Sequence, residues 1–350
     1  MDFTPLDLAP AEIEAQKTPE GGYLLRSPKA LEPYEESLGA MFRRWVKEAP
    51  DRIFLGERDA SGQWRRVMWG EAGRLAESVA QALIDRRMGS ERTVMILSGN
   101  SIDHALLMLG GFLAGVPVVP VSVAYSLLSQ DFAKLKSIFR EVRPSLVFAE
   151  NAEMFSRALK ALDLAGVEVV ASRGTAEGVS VTPFSSFLAT VPTEQVAKAF
   201  AAVRPGSVAK VLFTSGSTGL PKGVINTHGM LCSNQQMLAQ IWPFTRATPP
   251  VLVDWLPEPH LRREPRFQPR PQARRNPLHR RRQAGSRPRG AVGQELRGDI
   301  PDHLLQRPGR FRDAPPVSRE GRGPEGQLLP TAAARLLRRC RPFAGPLAAS

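Results

Sequence analysis

Residues 209–224 read Ala-Lys-Val-Leu-Phe-Thr-Ser-Gly-Ser-Thr-Gly-Leu-Pro-Lys-Gly-Val. A mainly apolar run that predicts a strand leads directly into a turn rich in glycine and hydroxyl side chains. Glycines let the backbone approach a polyphosphate closely, and hydroxyls and successive backbone N–H groups can surround its oxygens. Lys222 adds a mobile positive charge. We therefore predict a phosphate-binding loop with Lys222 as the catalytic charge and contacts from Thr214, Ser215, Gly216, Ser217, Thr218, Gly219, Lys222 and Gly223.

The order of residues excludes two other glycine-rich loops. A Walker A loop ends in Gly-Lys-Ser or Gly-Lys-Thr, whereas Lys222 lies between Pro221 and Gly223. A nucleophile elbow needs Gly-x-Ser-x-Gly, but no glycine stands two positions before Ser215 or Ser217. An ordinary flexible loop would not explain why a strand, a hydroxyl cluster and Pro-Lys-Gly follow one another in this order.

Residues 213–223 resemble the signature of the adenylate-forming superfamily, [Tyr/Phe]-Thr-Ser-Gly-[Ser/Thr]-Thr-Gly-x-Pro-Lys-Gly, and they meet every position. This superfamily includes acyl-CoA synthetases, luciferases and the adenylation domains of peptide synthetases. The resemblance extends over about residues 21–257. Within it, some stretches are most similar to feruloyl-CoA synthetases. These stretches are residues 121–130, residues 223–231 and the Asn-Gln-Gln-Met at 234–237.

The resemblance implies an enzyme that activates an aromatic carboxylic acid such as ferulate with ATP and Mg²⁺ and then forms a thioester with CoA. Its implied partners are therefore small molecules. It also implies that His228 and Tyr125 lie near the acid, with Asp131 as a further candidate. The alternative for His228 is a surface or helix-capping histidine. No metal-ligating side chain is predicted.

Several motifs that the resemblance leads us to expect have no counterpart in this sequence. These are a Tyr-Gly-x-Thr-Glu-like motif for adenine and magnesium, a Tyr-x-Thr-Gly-Asp-like motif for the ribose, and the small C-terminal domain with its catalytic lysine. Residues 258–350 contain no lysine that could replace it. We therefore expect this chain, as translated, to be an inactive fragment that leaves the family pattern and also stops early.

The positive charge of the chain is confined to its last 93 residues. Residues 258–350 hold 21 arginines and 8 acidic residues, which accounts for the whole net charge of +13 and leaves residues 1–257 neutral. The same segment carries 14 of the 31 prolines and no Met, Trp or Tyr. This composition predicts a disordered tail, because it cannot bury enough apolar surface to offset the entropy of ordering.

Two explanations for this tail compete. One is a nucleic-acid-binding protein with a basic disordered tail. The other is translation in a shifted frame of a GC-rich gene, which yields mainly residues whose codons begin with G or C. The residues of the tail outside that set are Phe267, Asn276, Ser286, Ile300, Phe311, Ser318, Thr331, Cys340, Phe343 and Ser350. Back-translation of residues 258–265 and reading from the second base gives Ser-His-Thr-Phe-Gly-Gly-Asn-His, a family-like run, and therefore favours the frameshift.

We expect a loose lead-in over residues 1–20, a partial AMP-binding domain over 21–257 and the basic tail over 258–350. The fold class is α/β, the N-terminal part of the adenylate-forming large domain with a parallel sheet covered by helices on both faces. Predicted strands include residues 93–97, 116–119, 145–148, 167–171 and 209–213, and predicted helices include 38–46, 71–87, 101–114, 129–141 and 152–165. Residues 52–57 and 64–68 predict a hairpin.

The remaining features indicate a cytoplasmic protein that does not cross a membrane. The two cysteines, Cys232 and Cys340, define no disulfide framework or zinc site. The N-terminus carries acidic residues and no apolar signal core. Residues 105–123 are apolar over nearly the length of a short membrane span, but they contain Gly110, Gly111, Gly115, Pro117 and Pro120. They therefore predict a buried helix, a turn and a strand.

Overall fold

The structure is a computed structural model that describes residues 7–59, 62–214 and 219–247. These residues belong to two compact units. One unit contains residues 7–12 and 239–247, where the backbone N–H of Ala9 donates to the carbonyl of Ile241 over 3.0 Å. The other unit contains residues 13–59, 62–214 and 219–238, and it holds the predicted phosphate-binding strand.

A seven-stranded sheet with the order β11-β10-β6-β5-β7-β8-β9 forms the centre of the larger unit. All neighbouring strands in it are parallel except β10 and β11, which are antiparallel. Two separate hairpins pair β1 with β2 and β3 with β4. The strands are β1 (Glu14–Lys17), β2 (Tyr23–Arg26), β3 (Ile53–Arg58), β4 (Trp64–Met68), β5 (Val94–Leu97), β6 (Val118–Val121), β7 (Leu146–Asn151), β8 (Glu168–Arg173), β9 (Val181–Pro183), β10 (Val208–Thr214) and β11 (Lys222–Thr227).

Several helices begin at hydroxyl caps that the sequence supplies. Ser37 Oγ accepts a hydrogen bond from the N–H of Ala40, and Ser101 Oγ accepts one from the N–H of His104, each over 3.1 Å. The helices are α1 (Leu38–Glu48), α2 (Trp69–Asp85), α3 (Ile102–Ala114), α4 (Val123–Ser126), α5 (Ala133–Val142), α6 (Ser156–Lys160), α7 (Ser185–Leu188), α8 (Glu194–Ala201), α9 (His228–Ile241) and α10 (Phe244–Ala247).

Both faces of the large sheet are buried. In β5, Val94 and Ile96 belong to one apolar cluster, whereas Met95 and Leu97 belong to the other, and all four are fully buried. Side chains of α1, α2 and α3 complete the first cluster, and side chains of α5 and α6 complete the second. A parallel strand covered on both faces must be apolar at every position, which explains the continuous apolar run at residues 94–97.

Two glycines allow α3 to approach its neighbours closely. A Cβ on Gly110 would lie 2.4 Å from Val79 Cγ1 of α2, and one on Gly111 would lie 2.9 Å from Val118 Cγ1 of β6. Any larger residue would push these elements apart. The glycines that argued against a membrane span in the sequence therefore serve close packing. Within the described residues no helix is long and apolar enough to span a bilayer.

The predicted α/β fold is confirmed, with a mostly parallel sheet and helices on both faces. Three details differ from the sequence prediction. The expected lead-in contains β1, which pairs with β2 although every residue of both strands is exposed. The helix expected over residues 152–165 is only Ser156–Lys160, because residues 152–155 form turns that Asn151 caps through its side chain. The strand β11, which the sequence analysis did not predict, follows the glycine-rich loop. The whole of the predicted tail, residues 258–350, lies outside the described residues.

Candidate functional site

The glycine-rich loop joins the two antiparallel strands β10 and β11. Thr214 at the end of β10 pairs in register with Lys222 at the start of β11, and Phe213 pairs with Gly223. Thr214 Oγ1 also donates a long hydrogen bond of 3.5 Å to the carbonyl of Lys222. This pairing holds the two described ends of the loop side by side, so that Thr214 and Lys222 are both at its base and both exposed.

The loop lies at the edge of the sheet where parallel strands end. β10 is parallel to β6, so Thr214 lies at the same edge as the carboxyl ends of β6, β5, β7 and β8. Ligands of open α/β sheets collect beyond this edge. The predicted contacts Ser215, Gly216, Ser217 and Thr218 lie outside the described residues.

The two described glycines of this loop differ in backbone conformation and burial. The backbone of Gly219 has a φ of 89°, in the left-handed region that side chains disfavour, while a Cβ there would meet nothing within 4 Å. Conformation rather than space therefore requires this glycine. Gly223 is buried opposite Phe213 in the β10–β11 pair.

Tyr125 lies at the same edge as the loop. It is in α4, directly after β6, the parallel neighbour of β10. The ring is half-buried, and the Lys134 ammonium lies 5.2 Å from its centre. Asp131 has a different local role, since its Oδ1 accepts hydrogen bonds from Ser129 Oγ and the N–H of Ala133. The bond from Ala133 is the main reason that the pKa of Asp131 is lowered.

The structure does not bring His228 to this edge. Because β11 runs antiparallel to β10, it returns the chain to the other end of the sheet, where the N–H of His228 donates to the carbonyl of Ser207. The seven residues of β10, six steps of extended chain, separate the two ends by about 20 Å. His228 is 1% exposed, its Nδ1 accepts a 3.3 Å hydrogen bond from the N–H of Leu38, and its ring meets Phe112 edge-on at 5.5 Å. Burial lowers the pKa of His228 to about 4.

Sequence reasoning missed a polar network at the carboxyl edge. Glu150, near the end of β7, accepts hydrogen bonds from Ser98 Oγ and the N–H of Gly99 after β5, at 3.3 and 3.1 Å. Arg173, at the end of β8, donates to its other oxygen over 3.0 Å. These residues are more than 20 positions apart in sequence, and no local motif marks them. The network fixes the loop that precedes α3.

A half-buried histidine, His104, and a half-buried lysine, Lys210, both have lowered pKa values. His104 Nδ1 is 3.0 Å from the carbonyl of Gly99, and burial is the main cause of its lowered pKa, with a smaller contribution from the charge of Lys210. Burial likewise lowers the pKa of Lys210 in β10. Within the described ranges, no group of three or more His, Cys, Asp or Glu side chains could hold a metal ion.

Comparison with known proteins agrees with the chemistry of this loop. Residues 42–257 match the model of the family described as AMP-binding enzyme. This match covers more than half of the chain, and the chain belongs to the AMP-binding enzyme family, the adenylate-forming superfamily.

The curated relatives are distant and much longer. The chain is 26% identical over 239 residues to the long-chain-fatty-acid–AMP ligase FadD23 of Mycobacterium tuberculosis, covering 64% of this chain and 37% of that protein. It is 30% identical over 207 residues to the cyclosporin synthetase of Tolypocladium inflatum, covering 59% of this chain and 1% of that protein. The chain therefore spans little more than a third of the first relative and a very small part of the second.

Two solved structures are similar to parts of this chain at lower sequence identity. The fatty acyl-adenylate ligase from L. pneumophila matches with a TM-score of 0.40 and 18% identity, over 55% of this chain and 30% of that one. The luciferase-like enzyme from the Zophobas morio mealworm matches with a TM-score of 0.45 and 21% identity, over 57% of this chain and 45% of that one.

The family match confirms the predicted superfamily and does not favour the alternative of a nucleic-acid-binding protein. The family match does not distinguish feruloyl-CoA synthetases from other members, so the predicted similarity to them stays a prediction.

Proposed function

We propose that this chain is the N-terminal part of an ATP-dependent ligase that activates an aromatic carboxylic acid such as ferulate and passes the acyl group to CoA. The observation that carries the proposal is the signature loop at the carboxyl end of β10, with Thr214 and Lys222 paired at its base. Acid–AMP ligation by the relative FadD23 supports the reaction class. The family-like stretches at residues 121–130 and 223–237 support an aromatic acid.

In the complete enzyme, the acid carboxylate would attack the α-phosphorus of ATP, forming the acyl-adenylate and releasing pyrophosphate. The thiol of CoA would then attack the acyl carbon, giving the thioester, AMP and a proton. Lys222 would place an ammonium against the phosphates, and the hydroxyl of Thr214 would donate to their oxygens, with the same role for Ser215, Ser217 and Thr218. Preorganised donors of this kind stabilise the charge that develops on the leaving pyrophosphate. A Mg²⁺ ion would enter with ATP and neutralise part of the phosphate charge.

The two residues predicted near the acid differ in the support they receive. Tyr125 lies at the same edge of the sheet as the loop, which supports a place in the acid pocket. His228 is buried at the opposite edge and accepts a hydrogen bond from the first residue of α1. Its position supports a structural role at the start of α9 better than contact with the acid.

We further propose that the reading frame of the gene shifts after Pro257, so that the chain as translated cannot complete the reaction. Support comes from the concentration of all net charge in residues 258–350 and from the family-like run in the second frame. A cytoplasmic location is part of the same proposal, since such ligases act on ATP and CoA. Sequencing the gene across the codons for residues 250–270 tests the frameshift. Confirmation of the short frame in fresh DNA would support a shift in the gene itself. A frame that continues from Trp255-Leu256-Pro257 into Trp-Ser-His-Thr-Phe-Gly-Gly-Asn-His would overturn it and show that the shift is a sequencing error.

Two measurements of pyrophosphate release test the inactivity of this chain and the role of Lys222. Purified residues 1–350 should release no pyrophosphate in the presence of ferulate, CoA and Mg-ATP. Detectable acid-dependent release of pyrophosphate would contradict the proposal that this chain is inactive. In the frame-restored enzyme, Lys222→Met should lower acid-dependent pyrophosphate release by about 100-fold, as expected for loss of one stabilising donor. The matched control is Lys198→Met, because Lys198 is an exposed lysine on α8 that pairs with Glu194 at 3.8 Å. Equal loss in both variants would refute the role of Lys222.

A further inference from the structure

A groove opens at the amino edge of the sheet, opposite the glycine-rich loop. Its volume is about 860 Å³. One wall is the end of α5 with the connection into β7, and the other is the end of α6 with the connection into β8. We call it the basic groove, lined by Lys136, Phe139, Arg140, Arg143, Pro144, Ser145, Ala161, Leu162, Asp163, Ala165, Gly166 and Val167.

The floor of the basic groove is apolar. Phe139 and Leu162 are 9% and 8% exposed and belong to the second apolar cluster. Ala161 and Val167 pack against that cluster and are half-buried. Pockets of about 300–1,000 Å³ with apolar linings suit small organic ligands. The floor could therefore seat an aromatic ring or a short alkyl chain.

The rim of the basic groove is cationic on the α5 side. Lys136, Arg140 and Arg143 are spaced by four and three residues, which places them along one face of α5 and its cap. Among the described residues, none of the three forms an ion pair with a carboxylate within 4.0 Å. The carboxylate in the lining, Asp163, accepts a long 3.4 Å hydrogen bond from the N–H of Ala165.

Two contacts hold this rim in place. Arg140 Nε donates to the carbonyl of Lys136 over 3.3 Å, and the N–H of Arg143 donates to the carbonyl of Phe139 over 2.8 Å. At the other end of the wall, Ser145 Oγ accepts a 2.9 Å hydrogen bond from Arg92 Nε, which brings a fourth cation near the groove. The lining carries three cations against the one carboxylate of Asp163, and Arg92 adds a cation beside it, so the groove favours an anion.

We propose that the basic groove is a second ligand site that binds a small organic anion with an aromatic or short aliphatic body. The apolar body lies on Phe139 and Leu162, and a carboxylate or phosphate accepts charge-assisted hydrogen bonds from Arg140 and Arg143. The site is separate from the glycine-rich loop, because it lies at the other edge of the sheet. The proposal therefore does not depend on the proposed ligase activity.

The test is calorimetric titration of the full chain, residues 1–350, with 3-phenylpropionate, 3-phenylpropyl phosphate and the neutral 3-phenylpropanol. Both anions should bind, the alcohol should bind about tenfold more weakly or not at all, and added salt should weaken only the anions. The stronger of the two anions identifies the preferred head group. Equal affinity for the alcohol, or absence of binding by both anions, would overturn the proposal.

Variants locate the binding to the groove. Combined Arg140→Gln and Arg143→Gln should weaken the anions by about tenfold or more, and Ala161→Glu should do the same by placing a carboxylate on the floor. Arg66→Gln is the matched control, since Arg66 is an exposed arginine on β4. Lys222→Met separates this site from the glycine-rich loop and should leave the affinity unchanged. Wild-type affinity in both groove variants, or an equal loss with Arg66→Gln or Lys222→Met, would contradict the assignment.

Discussion

The buried His228 should make the stability of the protein fall steeply in mild acid. Its pKa is lowered from 6.5 to about 4 because burial disfavours the charged ring. Well above pH 6.5 the ring is neutral in both the folded and the unfolded chain, so its burial does not reduce the unfolding free energy through titration. As the pH falls from 6.5 towards 4, the unfolded chain takes up a proton that the folded chain does not bind, and stability is lost.

The size of this effect follows from the shift. At about 1.36 kcal/mol for each pKa unit, the ring should remove about 3 kcal/mol of unfolding free energy by pH 4 and about 2 kcal/mol by pH 5. His228→Asn removes the titration, while its side-chain oxygen can still accept the hydrogen bond from the N–H of Leu38. The variant should lose some packing against Phe112 at every pH, but its stability should fall less steeply in acid.

The assay is urea unfolding between pH 7 and 4, followed by tryptophan fluorescence. The aromatic cluster of Trp45, Trp69 and Phe54 provides a reporter inside the larger unit. The quantity of interest is the difference between wild type and variant, since other groups titrate equally in both. His104→Asn is the comparison variant, because it leaves the His228 contribution intact and removes only the acid-dependent loss that comes from the lowered pKa of His104. Parallel curves for wild type and His228→Asn would refute the reasoning from burial.

Two packing predictions concern α2 and its neighbours. Gly110→Ala should destabilise the protein by about 1–3 kcal/mol, because the new Cβ would lie 2.4 Å from Val79 Cγ1 and force α2 and α3 apart. Gln81→Met should cost about 1–3 kcal/mol, because Gln81 Oε1 accepts hydrogen bonds from the N–H and Oγ1 of Thr193 at 2.9 and 2.8 Å, and both donors would lose their partner. Both losses are measured as changes in urea unfolding at pH 7.

Matched controls separate these effects from the substitutions themselves. Gly89→Ala should change the unfolding free energy little, since a Cβ at Gly89 meets nothing within 4 Å. Gln130→Met should also be nearly neutral, because Gln130 is exposed. If Gly89→Ala lowered the unfolding free energy as much as Gly110→Ala, close contact between α2 and α3 would not explain the loss. If Gln81→Met left the unfolding free energy unchanged, the hydrogen bonds of the buried amide would not stabilise the fold.

Much of the fold could be predicted from local patterns. The mainly apolar runs at residues 93–97 and 145–148 predicted buried parallel strands, and parallel strands form there as β5 (Val94–Leu97) and β7 (Leu146–Asn151). Ser101 predicted the start of α3 and caps it through its hydroxyl. Strand ends were less accurate, since β6 begins at Val118 rather than at the predicted residue 116. Such boundaries depend on which backbone groups find partners in neighbouring strands, and no local pattern records those partners.

In the candidate site, the features that local sequence could predict are clearly separated from those that depend on distant residues. The residues of the glycine-rich loop were recognisable because their chemistry is contiguous in sequence, and the same stretch established the superfamily. Glu150 and Arg173 could not be found in this way, because their network joins the ends of β7 and β8 to the loop after β5. The basic groove likewise combines two connections that are adjacent only after β7 and β8 pair.

The sequence by itself determined the α/β class, the family, the position of the phosphate-binding signature and the break in composition after Pro257. These follow from periodicity, contiguous motifs and charge, which are local properties. Only the tertiary structure decided that β11 returns beside β10 and carries His228 about 20 Å from Thr214, into a buried place against Phe112. The physical reason is that strand direction and burial depend on hydrogen bonds and packing partners distant in the chain.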